Sequence, residues 1–320
     1  MNKIIVISAV CFSALVSACS SDDYAADKAE AKELQIATAV EAQESRAGIS
    51  IQSTQFVSGQ KVGVWTFTGS GSSAVFKNKN LSMTTDGKGG LSCASGIYYD
   101  PAETVNVWAI HPYDATWTDK LNKTTSQTII FTLPTDQSTQ ANYANADLCV
   151  GHLAGIKADG TKHVIPMKHL MSKITLKIVD GDANDGFTVD NAHIDYAAIW
   201  SCIKVQITTR NTFAADADPI ASVAPYEGIG QIRCAGSASA SKVNSSAIVP
   251  PGQKYAAGDK IFFIMPNPGR EPIEYKLPSA LTLEPGVEYI FTVRIKLQKV
   301  EVTMDLADWN IERRSGVIQY

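Results

Sequence analysis

Ser58-Gly59-Gln60-Lys61 sets a hydroxyl three residues before an amine, the spacing with which a lysine can activate a nucleophilic serine. That motif opens a helix and works with Ser-Asp-Asn and Lys-Thr-Gly partners, which this chain lacks, so the stretch reads as a turn entering a strand. His163 and His169 are six apart and would share one face of a regular strand, yet no carboxylate or cysteine at useful spacing completes a metal ligand set. They are expected to be two polar residues at a domain boundary. Asp180-Gly181-Asp182-Ala183-Asn184-Asp185-Gly186 approximates a calcium loop, but its glycine falls one position late and Asn191 stands where a bidentate glutamate belongs. A solvated turn is the simpler reading. With no G-x-S-x-G elbow, phosphate loop or H-E-x-x-H, the chain presents no catalytic residue and is not read as an enzyme; it calls for no cofactor and no metal.

Cysteine chemistry is more informative. Lys3 supplies a positive start, Ile4 to Val16 an apolar run too short to span a bilayer, and Ser17-Ala18 the small residues that precede a signal-peptidase cut. Val16-Ser17-Ala18-Cys19 resembles a bacterial lipobox, which would remove residues 1–18 as a signal peptide and leave Cys19 acylated, with palmitate among the candidate chains. Ser20-Ser21-Asp22-Asp23 then suits an exposed tether, and an acidic pair at that place favours the outer membrane's cell-surface side. Cys11 leaves with the signal, so Cys93, Cys149, Cys202 and Cys234 remain. Export permits disulfides, and two domains would join Cys93 to Cys149 and Cys202 to Cys234. Four separate buried thiols are an equally good reading.

These residues must be carried by strands. Residues 19–46 are rich in Ala, Glu, Lys and Gln and read as a tether or propeptide, partly helical at most. Beyond Arg46, short alternating apolar runs lie between Gly, Pro, Asn, Asp and Ser turns, which describes an all-β chain. Strands are expected near residues 48–52, 61–67, 96–99, 105–110, 128–133 and 148–152. After a polar break at residues 157–162, more are expected near 164–168, 173–179, 193–199, 203–208, 246–249 and 260–265. The break divides the chain into domains at 47–160 and 161–320, with one possible helical turn near Ala280. Val287, Tyr289, Phe291, Val293, Ile295 and Leu297 share a face; parity then flips, and Val300, Val302, Met304 and Leu306 alternate with polar residues. A hairpin answers that flip. Trp65, Trp108, Trp117 and Trp200 could line a sugar-binding face but on strands are more often core.

The 320 residues are 45% hydrophobic and 19% charged, with a formal charge of -4 and no Lys/Arg cluster, so packed cores are affordable and nucleic acid is no partner.

Taken in order, the segments 56–65, 109–113, 133–138 with Tyr143 and 146–148, 167–174, and 283–289 with Asp308-Trp309 resemble the fimbrillin family, the subunits of protease-assembled (type V) pili of anaerobic Gram-negative bacteria. The lipobox and the basic residue of Ser45-Arg46-Ala47 belong to the same likeness, which spans nearly the whole chain. The resemblance implies two tandem transthyretin-like (Greek-key) β-sandwich domains, lipoprotein export, and cleavage between Arg46 and Ala47 by a trypsin-like protease. It also implies polymerisation by donor strand with other copies or related pilus subunits, and a part in adhesion. The donor would be the tail: Val300, Val302, Met304, Leu306, Trp309, Ile311, Val317 and Ile318. Its first part could equally close its own sandwich as the partner of residues 287–297. The alternative function is a surface-anchored glycan-binding lipoprotein or a pilus-tip adhesin.

Overall fold

The computed structural model describes residues 30–40, 55–121, 124–181, 189, 194–239, 242–266, 271–296 and 299–309. Nearly all of this is strand. A seven-stranded sheet runs, edge to edge, through Ile36–Val40, His163–His169, Cys149–Ile156, Val105–His111, Lys61–Thr68, Val75–Thr85 and Leu91–Ser92. Both of its faces are covered, so its central strands are apolar almost throughout, as strands buried on two sides must be. Val62, Val64, Val105, Val107, Ala109 and Cys149 enter one core cluster; Trp65, Phe67, Trp108, Ile110 and Val150 enter another.

The second cluster continues into the rest of the chain. There a five-stranded sheet (Ala235–Ser239, Lys242–Val249, Ser172–Asp180, Val287–Lys296, Lys299–Asp308) packs on a four-stranded one (Ile229–Arg233, Ile194–Cys202, Lys260–Pro266, Ile273–Lys276). Phe291 and Phe262, one from each sheet, meet edge to face with centroids 5.5 Å apart. A three-stranded sheet sets Thr128–Thr132 against Lys204–Thr209 and so ties the two halves together.

The all-β class and most expected strands are present, and Ser58 to Gln60 is indeed a turn entering the strand Lys61–Thr68. Three readings change. The polar break at residues 157–162 is a turn within the seven-stranded sheet, because His163–His169 pairs there with Cys149–Ile156; the sheets change at Leu170-Met171 instead. Part of the supposed tether is strand, since Leu34, Ile36, Ala37 and Val40 fill the first core cluster or its margin. The α-helix among the described residues is Gln140–Ala146, not a turn near Ala280, where Leu281–Thr282 is a short strand. Of the two cysteine readings left open, the free-thiol one describes the structure, with Cys149 and Cys234 buried and Cys93 and Cys202 half-buried. Sγ of Cys149 lies against His169, while that of Cys93 faces Ser95.

Candidate assembly site

The strand Ile36–Val40 is seated by both of its neighbours. On one side it pairs in parallel with His163–Met167. On the other, Thr38 donates its backbone N–H to Gly89 and Ala37 bridges Gly90. The loop that receives it is shaped by Asp86, whose Oδ1 accepts from the backbone N–H groups of Lys88 and Gly90 at 2.7 and 2.8 Å. Those bonds, that of Lys88 foremost, hold the Asp86 carboxyl below its usual range. Gly89 has φ +91°, and a Cβ there would stand 2.8 Å from the carbonyl oxygen of Thr38. Only glycine admits so close an approach in that conformation. Leu34, Ile36, Met83 and Ile97 line an open cavity of about 300 Å³ beside the strand.

At the far end of the chain, Lys299–Asp308 pairs residue for residue with Val287–Lys296, the hairpin expected from the parity flip. Val300, Val302, Met304 and Leu306 stand opposite Ile295, Val293, Phe291 and Tyr289, hence on the face that elsewhere in this sheet is core. Here it is uncovered, with Val300, Met304 and Leu306 at 37, 42 and 56% exposure. The strand is the edge of its sheet. It ends in Trp309, buried, its ring stacked on His169 with centroids 3.9 Å apart and planes at 11°.

His169 belongs to a polar row under that tryptophan. His111, Cys149 and His169 pair across three adjacent strands, and the helix Gln140–Ala146, capped by the Thr139 hydroxyl accepting from the Asn142 N–H, delivers Asp147 to the same place. Nδ1 of His169 donates to Oδ1 of Asp147 at 2.8 Å, and Nδ1 of His111 donates to the Asp147 carbonyl at 2.9 Å. Burial holds the His111 imidazole below its usual pKa, against the pull of Asp147. Burial first, then the Asp147 charge, pushes the Cys149 thiol well up, so it is no nucleophile. Beside the row, Lys173 and Glu288 form a buried ion pair at 3.2 Å. Burial lowers the Lys173 pKa, but Tyr143 and Glu288 outweigh it and the ammonium is kept.

Of the residues singled out from sequence, Cys19, Arg46, Ala47, Ile311, Val317 and Ile318 lie outside the described residues, as do Gly48 to Gln52 and most of the loop after Asp180. His163 and His169 are not a pair: Nε2 of His163 donates to the Lys157 carbonyl. The reading that no carboxylate or cysteine stands near His169 changes, because Asp147, at the end of the helix, and Cys149, on the neighbouring strand, both lie beside it. Only the register of two strands, which spacing along one strand does not show, brings Cys149 to His169. Trp65, Trp108 and Trp117 are core; Trp200, half-buried, lines an open cavity of about 330 Å³ with Ile229 and Tyr255.

Among the described residues, the strand Ile36–Val40 at one margin of its sheet and the uncovered apolar row of the edge strand Lys299–Asp308 are surfaces suited to association. The family model of fimbrillin-like proteins matches residues 45–309, and the chain belongs to that family. Membership makes it a fimbrial structural protein of the cell surface that assembles with other pilus subunits, and not an enzyme. No curated protein matches the sequence. Among solved structures, a candidate cell adhesion protein of Bacteroides uniformis is similar at a TM-score of 0.60 and 16% identity, over 88% of this chain and 98% of that one. Another, from Bacteroides ovatus, has a TM-score of 0.60 and 18% identity over 88 and 99%. At such identities the likeness is one of fold.

Proposed function

We propose that the chain is a lipid-anchored pilus subunit that polymerises by strand replacement. Cys19 carries the anchor, a trypsin-like protease cuts between Arg46 and Ala47, the strand Ile36–Val40 leaves, and the C-terminal tail of another subunit takes its seat. The observation that carries this reading is the buried parallel strand Ile36–Val40, lying just upstream of the expected cut.

Magnitudes favour exchange. Burying Leu34, Ile36 and Val40 stabilises the seat by roughly 1.5 to 3 kcal/mol per side chain, whereas ordering the strand costs about 1 to 2 kcal/mol per residue. The two nearly balance, and hydrogen bonds of roughly 1 kcal/mol each leave a small surplus. While the chain is continuous that surplus suffices, since the strand cannot diffuse away. Once residues 41–46 are severed from the domain, a competing strand with more apolar anchors displaces it, and β-augmentation satisfies the exposed ladder again.

The donor is Lys299–Asp308 with the residues beyond it. Its uncovered row supports this, because three large apolar side chains on an edge strand leave a surface that a neighbouring subunit can bury. Deleting Ile311 to Tyr320 is expected to leave a folded monomer that is cut at Arg46 and no longer polymerises, scored by gel filtration and electron microscopy. Polymers of normal length from the truncated chain would exclude donation by this tail. Division into two tandem sandwich domains is part of the same proposal; their junction would be Leu170-Met171, where the sheets change.

A further inference from the structure

The polar row beneath Trp309 has a composition that assembly does not require. Asp147, Cys149 and His169 offer a carboxylate oxygen, a thiol sulfur and an imidazole nitrogen, and their ligating atoms all lie within 4.8 Å of one another. All three residues are buried. Sγ of Cys149 is 3.4 Å from Nδ1 of His169, which is 2.8 Å from Oδ1 of Asp147. Around a tetrahedral zinc ion, with Zn–S near 2.3 Å and Zn–N and Zn–O near 2.0 Å, neighbouring donor atoms stand roughly 3.3 to 3.6 Å apart. The thiol and imidazole already have that separation. The carboxylate is a few tenths of an ångström nearer, as a bridging proton would draw it.

A second observation points the same way. Oδ2 of Asp147 is buried and has no hydrogen-bond partner among the described residues. A buried carboxylate oxygen left unpaired is costly, and a cation beside it removes the cost. We propose that Asp147, Cys149 and His169 bind one divalent transition-metal ion of the zinc class. The mixed sulfur, nitrogen and oxygen set disfavours calcium and magnesium, which take oxygen donors. On binding, the Cys149 thiol loses its proton and the imidazole passes from the Nδ1–H to the Nε2–H tautomer. Thiolate and carboxylate then offset the two positive charges, and a neutral centre suits a buried place. Trp309 lies over His169, so the ion enters before the end of the C-terminal strand docks and afterwards fixes the ring on which that strand rests.

The test uses the full chain, stripped with a chelator and dialysed against cobalt(II). The expected result is one cobalt per chain, with the intense visible bands of tetrahedral coordination and a near-ultraviolet sulfur-to-cobalt charge-transfer band. Zinc should displace it and, at a hundredfold excess over Kd, raise the unfolding midpoint by about 5 °C. Cys149→Ser should lose the charge-transfer band, and Cys93→Ser should keep it. Because Cys149→Ser is a core substitution that can impair folding, the wild type decides. Folded wild-type protein that takes up no stoichiometric cobalt, or takes it up without the sulfur band, overturns the proposal and leaves the row a hydrogen-bonded cluster. Loss of the band in Cys93→Ser overturns it as well.

Discussion

Two buried groups in and beside the polar row, His111 and Glu288, bear on the stability of the folded chain. His111 has its imidazole pKa lowered from 6.5 by burial, so below that value the unfolded chain binds a proton that the folded one resists. Its contribution is therefore present above pH 6.5 and lost as pH falls toward the depressed value. The thermal midpoint should drop between about pH 6.5 and 5, and His111→Gln should flatten that part of the profile; equal slopes in the two proteins would contradict it. The lowered pKa values of Asp86, Asp136 and Asp159 start from 3.8 and act only at lower pH. Glu288 accepts from the Thr175 hydroxyl at 2.6 Å and pairs with Lys173, whose Nζ is 5.8 Å from the Trp309 ring centroid. Glu288→Ala strands that ammonium, and urea unfolding should show a loss of about 3 to 5 kcal/mol. A loss below about 1 kcal/mol would mean that water reaches Lys173. None of this was legible from residue spacing. Cys149 and His169, or Lys173 and Glu288, meet only through strand register and crossover, whereas the alternation of apolar residues tells which face a side chain takes but not what lies across from it.

The strands themselves were legible in proportion to their burial. Val287–Lys296 alternates over ten residues against a packed sheet and stands out in the sequence. Val75–Thr85 does not, because its Phe76 and Asn78 are only half-covered, a polar residue, Asn80, is buried within it, and its pairing slips at irregularities. Ile36–Val40 was hidden by its surroundings. Five residues, Ile-Ala-Thr-Ala-Val, amid Ala, Glu, Lys and Gln carry too little pattern to be told from a tether, and its strand state comes from the groove that receives it. The exposed row of Lys299–Asp308 yields a test at the scale of the element. Leu306→Lys changes a side chain 56% exposed in the monomer and should alter monomer stability by no more than about 0.5 kcal/mol. Placed in a subunit contact, the same charge would be buried unpaired, and polymer yield should fall at least tenfold. Unchanged polymerisation would remove this row from the contact.

For the molecule as a whole, the proposed exchange involves two strands of opposite fate: one at the margin of the first sheet, seated against the loop at residues 89–90 and then given up, the other an edge with an uncovered apolar row. The all-β class and the hairpin could be read from the chain, and so could the family likeness, because turns and alternation are local. The seat of the first strand could not, because it joins residues 36–40, 89–90 and 163–167 from three distant parts of the sequence. The most direct measurement follows the segment that contains Ile36–Val40. Purified monomer is cut with trypsin, allowed to polymerise, and the polymers are isolated and analysed by mass spectrometry for peptides upstream of Arg46. Strand replacement predicts cleavage after Arg46 and polymers depleted of those peptides, with the released fragment recovered free. Polymers that retain one such segment per subunit would show that the first strand stays in its seat, and the exchange mechanism would be wrong.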